Sequence, residues 1–339
     1  MGISWRTMLG ACCGVVGAVI WAVSLAIYQP FMQPDGFWTD SETGELYPEI
    51  GSNNTYWPRD IRQLAILLVF LGVVLVCWAN VRGILAGAVG AAAWIGVDLA
   101  LDRVDVSGGS TAVWLVVGGA AGFAAITFVA RKVSTGEPGS EFAGHLLATV
   151  AAVPAAVTVL VTTPWQEPVA DPDQVQVENA LTLLKVGLVV MFAAVALALV
   201  PLARILWMAP FAVLAAVAAW PATATYGFLG MFGLIFLPAG AAAAVAAARE
   251  VSLLRLLGVA AACALVLIPV YLLLYIVGSS VGGAMTSLAG NPPINSADTD
   301  LSLSFTALLL GLLFAMISHM LTRPAALADA PVTVGPQPE

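Results

Sequence analysis

Residues 8–28 read MLGACCGVVGAVIWAVSLAIY, a run of 21 residues without a charged side chain. As a helix this run is about 31 Å long, at roughly 1.5 Å per residue, which matches the hydrocarbon core of a bilayer. Further runs of this kind follow, and their apolar residues show neither the two-residue alternation of a barrel strand nor the one-sided stripe of a soluble helix. The pattern predicts an all-α, polytopic bundle of transmembrane helices.

The composition of the chain favours the same fold class. Of its 339 residues, 60% are hydrophobic and 9% are charged, whereas a soluble domain carries about 25% charged residues. Arginine outnumbers lysine, and alanine, valine and glycine are abundant, which is typical of proteins encoded by GC-rich bacterial genomes. We therefore expect a multi-pass protein of a bacterial cytoplasmic membrane, with the lipid bilayer as its main partner.

Ten apolar segments predict ten spans within a single transmembrane domain, residues 1–323. Their approximate limits are 8–28, 64–78, 83–101, 111–130, 142–161, 180–202, 205–220, 226–248, 256–277 and 303–321. Residues 324–339 contain four prolines and few bulky side chains, so we expect a disordered cytoplasmic tail. The segment 278–300 is too polar to span and too apolar for a simple linker, which leaves an interfacial or a re-entrant helix open.

The distribution of charge predicts the orientation of the bundle. If the N-terminus is cytoplasmic, eight of the twelve basic residues face the cytoplasm and fourteen of the twenty acidic residues face outward. Arginine and lysine are enriched in cytoplasmic loops of membrane proteins, so both termini are predicted to be cytoplasmic. The spans then form two halves of five in opposite orientation, which leaves an inverted repeat open.

Two charged residues lie inside predicted spans, and each is a candidate for function because a charge at mid-helix costs about 2.5–3.5 kcal/mol. Asp98 lies near the outer end of the third span, and Lys185 lies near the outer end of the sixth. Their similar depth predicts an intramembrane ion pair that binds a substrate or an ion. The alternative is that both reach water, Lys185 toward Glu178 and Asp98 beside Asp102.

Charged residues beside these two predict the mouth of an outer vestibule. They are Arg59, Asp60, Arg62, Asp102 and Arg103. The first three come directly before the second predicted span, so the alternative is that they cap this helix and anchor it among the lipid headgroups.

Several classes of site lack a motif in this sequence. There is no phosphate-binding glycine loop with lysine, no His-Glu-x-x-His zinc helix and no Gly-x-Ser-x-Gly nucleophile turn, so no catalytic, cofactor-binding or metal site is predicted. The two histidines, His145 and His319, are expected to form hydrogen bonds near helix ends. Nucleic-acid binding is not expected, because Arg131-Lys132 is the largest basic cluster.

Three functions fit these features. The first is a small-solute transporter or permease-like protein, which the short loops, the proline-containing helices and the candidate ion pair favour. The second is a non-catalytic membrane subunit or scaffold that assembles with other membrane subunits. An energy-coupled role would need a separate ATPase as partner, since the chain has no nucleotide-binding loop. The third is a membrane-embedded transferase that uses acids of the first outer loop, such as Asp35 and Asp40.

Overall fold

The computed structural model of the protein describes residues 4–32, 37–39, 41–48, 57–78, 80–134, 141–161, 172–224, 228–249, 252–291 and 303–322. The first helix, α1 (Trp5–Val23), continues through a π-helical turn (Ser24–Tyr28) into α2 (Gln29–Met32). The long helices that follow are α3 (Trp57–Val76), α4 (Val81–Asp102), α5 (Gly109–Val133), α6 (Glu141–Leu160), α7 (Pro172–Ala198), α8 (Ile205–Ala224), α9 (Phe228–Ala247), α10 (Leu253–Ala289) and α11 (Leu303–Thr322). Two three-residue strands, β1 (Phe37–Thr39) and β2 (Leu46–Pro48), pair antiparallel between α2 and α3.

Eight helical segments of the described residues are long and apolar enough to cross a membrane. They are Trp5–Phe31, Val81–Asp102, Gly109–Val133, Phe142–Leu160, Val175–Ala198, Leu202–Ala219, Leu253–Leu273 and Ser304–Thr322. Helix α9 adds a shorter apolar stretch, Gly233–Ala247. Helix α3 has 20 residues but carries Arg59, Asp60 and Arg62 in its first two turns. The chain is thus a helical bundle whose apolar helices indicate a multi-pass membrane protein.

Helix α3 is the most deeply enclosed helix of the described part of the chain. Of its 20 residues, 18 are buried, and it packs against α1, α4, α5, α6, α7 and α11. Its closest contact is with α1, where a Cβ atom added to Gly10 would lie 2.6 Å from the carbonyl oxygen of Gly72. One added to Gly17 would lie 2.8 Å from that of Ala65, so α1 and α3 are antiparallel. Small residues allow this approach of two backbones.

The other helices surround this centre. Helix α6 packs on α7, α9 and α11, α10 packs on α9 and α11, and α8 forms a hairpin with α9. Helices α4, α5 and α8 lie at the periphery, and large apolar side chains on them are more than 70% exposed, among them Val89, Trp114 and Leu206. Such exposure is expected where the surroundings are lipid and not water.

The bundle has an upper and a lower end. The upper end is where α1, α4 and α10 finish and α3 begins, and it corresponds to the side predicted to face outward. The lower end holds Arg6 at the start of α1, Trp78 after α3, and the last turns of α9 and α11.

Helix α3 begins earlier than the sequence indicates, at Trp57 and not near Leu64. The charged residues at its start were expected in the loop or at the headgroups. They are buried instead, because Arg59 and Arg62 find hydrogen-bond partners on neighbouring helices.

Helix α10 continues through 278–289, the stretch for which the sequence left an interfacial or re-entrant helix open. Its polar side chains bond to its own backbone: Ser280 Oγ donates to the Ile276 carbonyl, and Ser287 Oγ donates to that of Gly283. Gly290 ends the helix with a φ of 81°, a left-handed conformation that favours glycine. Residues 292–300 and the tail 324–339 lie outside the described residues.

Candidate functional site

A cluster of charged and amide side chains is buried at the upper end of the bundle. Arg62 lies in the second turn of α3, and Asp98 and Asp102 lie near the end of α4. The two aspartates are four residues apart, which places them on one face of the helix. The side chains of Arg62 and Asp98 have no exposed surface, and that of Asp102 is 1% exposed.

The Arg62 guanidinium binds both carboxylates. Its Nε atom lies 2.9 Å from Asp98 Oδ1, and its Nη2 atom lies 2.7 Å from Asp102 Oδ2. Its Nη1 atom donates a hydrogen bond of 2.8 Å to Gln29 Oε1. Nη1 and Nη2 therefore donate hydrogen bonds, whereas Nε is paired with Asp98 by charge and proximity without hydrogen-bond geometry. The planar fork of arginine suits this arrangement better than the single ammonium of lysine would.

The Asp98 carboxylate accepts two further hydrogen bonds from neutral side chains. Trp21 Nε1 donates to its Oδ1 atom over 2.7 Å, and Gln63 Nε2 donates to its Oδ2 atom over 3.1 Å. The Trp21 ring meets that of Trp94 edge-on, with 5.3 Å between the ring centroids. Asp98 is thus held by donors from both α1 and α3.

The π-helical turn Ser24–Tyr28 joins α1 to the elements around the cluster. Ser24 Oγ donates to the carbonyl of Pro58 over 2.7 Å, at the start of α3. The carbonyl of Ala26 accepts from the backbone N–H of Gly108, whose φ of 96° favours glycine. The turn leads directly into Gln29, the partner of Arg62. Single π-helical turns are rare and frequently occur at functional sites.

The end of α10 covers the cluster from above. Asn291 Nδ2 donates to Asp102 Oδ2 over 3.3 Å, and the buried Arg59 donates from Nη1 to Thr286 Oγ1 over 2.8 Å. Arg103, which is exposed, donates from Nη1 to the carbonyl of Leu288 over 3.3 Å. Three hydrogen bonds thus attach α10 to α3 and to the end of α4.

Three buried polar atoms of Gln29, Arg62 and Asp102 lack a hydrogen-bond partner within the described ranges. They are the acceptor Asp102 Oδ1 and the donors Gln29 Nε2 and Arg62 Nε, the last of which lies in ionic contact with Asp98. In addition, Asp98 and Asp102 share a single arginine, so these three side chains carry one negative charge in excess. Leaving a buried polar group unbonded costs about 1–3 kcal/mol. The cluster can therefore accept a hydrogen bond from one further donor, such as an ammonium group, and can donate a further hydrogen bond from Gln29.

Two apolar grooves reach the cluster on opposite faces of α4. A groove of about 440 Å³ between α4 and α5 is lined by Trp21 and Trp94. A smaller groove of about 170 Å³ between α3, α4 and α11 is lined by Gln63. Since Trp21 and Gln63 both donate to Asp98, each groove contains one direct partner of this carboxylate.

Lys185, the partner expected for Asp98, lies on the other side of α3. Its Nζ atom donates to the carbonyl of Val161 over 2.7 Å, at the end of α6, and lies 5.8 Å from the centroid of the Trp57 ring. The described side chains that bind Asp98 are those of Trp21, Arg62 and Gln63. The structure does not bring Asp98 and Lys185 together, because depth in a span does not determine which helix face is opposite.

The five residues expected around an outer vestibule all lie at the upper end. Arg62 and Asp102 are in direct contact, while Arg59 and Asp60 are buried in the first turn of α3 and Arg103 is exposed. The structure thus brings two of the five residues into direct contact and places the other three at the same end of the bundle.

Sequence reasoning did not identify the neutral members of the cluster. They are Trp21, Ser24, Gln29, Gln63, Thr286 and Asn291. Gln29 and Gln63 carry the one usable signal, since both are amides at the edge of a long apolar run. No three His, Cys, Asp or Glu side chains among the described residues are grouped so that they could hold a metal ion.

No protein-family model, no curated protein and no solved structure matches this chain.

Proposed function

We propose that the chain is a permease-like transporter of a small solute in the cytoplasmic membrane of a bacterium, with ten spans and both termini cytoplasmic. One observation carries the proposal: Arg62, Asp98 and Asp102 are buried together inside a bundle of apolar helices. Ionisable side chains are rare inside membrane helices, and where they occur they commonly mark the path of a solute or an ion.

The chemistry of the cluster defines the class of solute. The unbonded Asp102 Oδ1 accepts a donor, the unbonded Gln29 Nε2 supplies one, and the excess negative charge favours a positive group. A small zwitterion or organic cation with an ammonium group and an oxygen acceptor satisfies all three requirements. The Asp102 carboxylate binds the ammonium group, and the Gln29 amide donates to the oxygen.

The proposed route of the solute to the cluster is from the upper end of the bundle, where the end of α10 covers it. A solute arriving at the upper end reaches Asp102 when the hydrogen bond from Asn291 breaks, together with those of Arg59 and Arg103 to α10. A hydrogen bond contributes about 0.5–3 kcal/mol depending on charge. Movement of the end of α10 is therefore the opening step of this mechanism.

The test compares two acidic residues near the end of α4, one inside the cluster and one outside it. Purified wild-type protein is screened by thermal unfolding against amino acids, diamines and polyamines, and positive compounds are then followed as radiolabelled flux into proteoliposomes. Asp102→Asn is expected to abolish both the stabilisation and the flux. Asp105→Asn, at an exposed turn residue, is expected to change neither. If no compound stabilises the wild type, or if both variants behave alike, the proposal fails.

A second candidate is a non-catalytic subunit of a larger membrane complex, which exposed glycines of α4, α5 and α10 favour. A Cβ atom added to Gly96, Gly118 or Gly258 would meet nothing within 4 Å. Glycines on a membrane helix let another helix pack closely. Native mass spectrometry after mild solubilisation tests this: a companion protein at fixed stoichiometry, lost in Gly118→Leu and kept in Gly90→Ala at an inward site, supports the subunit function.

A further inference from the structure

A second polar region lies at the lower end of the bundle, far along the helices from the Arg62 cluster. It is an open cavity of about 820 Å³ lined by the ends of α1, α3, α6, α7, α9 and α11. Its volume is within the range of about 300–1,000 Å³ that is usual for small-molecule sites. We call it the basic cavity, because its charged lining residues are Arg6, Arg204 and Arg249.

The described lining of the basic cavity contains three arginines and no aspartate or glutamate. His145 also lines it, and this buried side chain shares a hydrogen bond of 3.0 Å with Ser318 Oγ. The three guanidinium groups come from different parts of the chain, one in the first turn of α1, one after α7 and one after α9. Positive charge from three separate parts of the chain is therefore gathered around one cavity, with Arg6 partly buried and Arg204 and Arg249 exposed at its mouth.

Arg6 stacks on an aromatic ring, and its Nε–H group has no acceptor among the described residues. Its guanidinium carbon lies 3.3 Å from the centroid of the Trp78 ring, the contact distance of stacked planar groups. Stacking on an indole fixes the guanidinium and leaves its N–H groups at the edge of the stack. Its Nε atom is buried without a hydrogen-bond partner among the described residues. This buried donor indicates that a ligand oxygen completes the site.

We propose that the basic cavity binds a phosphate group, carried either by an anionic lipid headgroup or by a soluble phosphorylated compound. Arginine is the side chain that best matches phosphate oxygens, since its N–H groups donate two parallel hydrogen bonds. Basic pockets between membrane helices on the cytoplasmic side commonly bind anionic headgroups. The site is separate from the Arg62 cluster, so it stands whether or not the proposed transport function is correct.

The experiment uses the full-length protein and three probes: inorganic phosphate, glycerol 3-phosphate, and phosphatidylglycerol in nanodiscs of phosphatidylcholine. Binding is followed by thermal unfolding for the soluble probes and by native mass spectrometry for the lipid. We expect saturable binding of at least one probe to the wild type. A response to glycerol 3-phosphate assigns a soluble ligand, whereas a response to phosphatidylglycerol alone assigns a lipid headgroup.

Two variants and one control locate the binding. Arg204→Gln is expected to weaken the affinity about tenfold or more, because it removes a charge-assisted hydrogen bond. Ala203→Phe keeps every charge but fills the cavity, and it is expected to abolish binding. The control is Arg255→Gln, an exposed arginine at the lower end that does not line the cavity. No binding of any probe by the wild type, or an equal loss in Arg255→Gln, overturns the proposal. If Arg204→Gln does not fold, Ala203→Phe alone tests whether the probe binds in the cavity.

Discussion

Arg62 Nε lies 2.9 Å from Asp98 Oδ1, and neither side chain has any surface exposed. The two residues are 36 positions apart in sequence, on α3 and α4. Bringing a charge into a low-dielectric interior is costly, and the cost is offset only when a partner of opposite charge and good hydrogen-bond geometry is present. This contact therefore fixes how α3 and α4 pack at the upper end.

Removing the shared cation is expected to destabilise the bundle strongly. Arg62→Met leaves the Asp98 and Asp102 carboxylates buried without their cation, and breaking a buried pair in this way costs about 3–5 kcal/mol. Denaturant unfolding in mild detergent measures the loss. The double variant Arg62→Met/Asp98→Asn is expected to recover part of it, and an unchanged unfolding midpoint in Arg62→Met would show that the contact contributes nothing.

Double-mutant cycles distinguish the two possible partners of Asp98. Asp98→Asn and Arg62→Met are expected to be coupled by about 0.5–3 kcal/mol, since their side chains touch. Asp98→Asn and Lys185→Met are expected to be additive within roughly 0.5 kcal/mol, because Lys185 binds the end of α6. Coupling of Asp98 to Lys185 and not to Arg62 would contradict the structure.

The indole of Trp21 offers a test of a single hydrogen bond. Trp21→Phe removes the donor to Asp98 Oδ1 but keeps an aromatic ring against Trp94. A hydrogen bond to a charged group contributes about 1.5–3 kcal/mol, and we expect a loss of this order in the free energy of unfolding. Trp114→Phe, in the same groove but 74% exposed, is the control and should leave the unfolding midpoint unchanged.

The close approach of α1 and α3 predicts different responses at two glycines. A Cβ atom on Gly72 would lie 2.6 Å from the carbonyl oxygen of Gly10, so Gly72→Ala forces the helices apart and is expected to cost about 1–3 kcal/mol. Gly96→Ala meets nothing within 4 Å and should be neutral or slightly stabilising, since alanine favours helix. Equal thermal stability of the two variants would rule out this contact.

Cysteine labelling in intact cells tests the proposed orientation. In a variant without the four native cysteines, Glu45→Cys between α2 and α3 is expected to react with a membrane-impermeant maleimide. Arg82→Cys, exposed at the start of α4, should react only after the cells are permeabilised. The reverse pattern would place the N-terminus outside.

The helical class of this protein can be predicted from its sequence, because apolar runs of bilayer length have few other solutions. The contacts within the candidate site cannot be predicted in this way. Asp98 can be recognised from the sequence as a charge within a span. Its partner Arg62 follows Trp57-Pro58-Arg59-Asp60, residues that resemble a headgroup anchor. Whether such a segment stays at the interface or enters the bundle depends on partners elsewhere. Here the partners are Gln29, which is 33 positions from Arg62, and Thr286, which is 227 positions from Arg59.

The burial of charge in α3 also has a consequence for biosynthesis. Arg62 leaves the ribosome 36 residues before Asp98, so α3 reaches the translocon before its carboxylate partners on α4 have been made. An arginine at the centre of a membrane helix costs about 2.5–3.5 kcal/mol, and Arg62, in the second turn of α3, is subject to part of this cost until α4 follows. We therefore expect α3 to reach its final depth only after α4 has been synthesised.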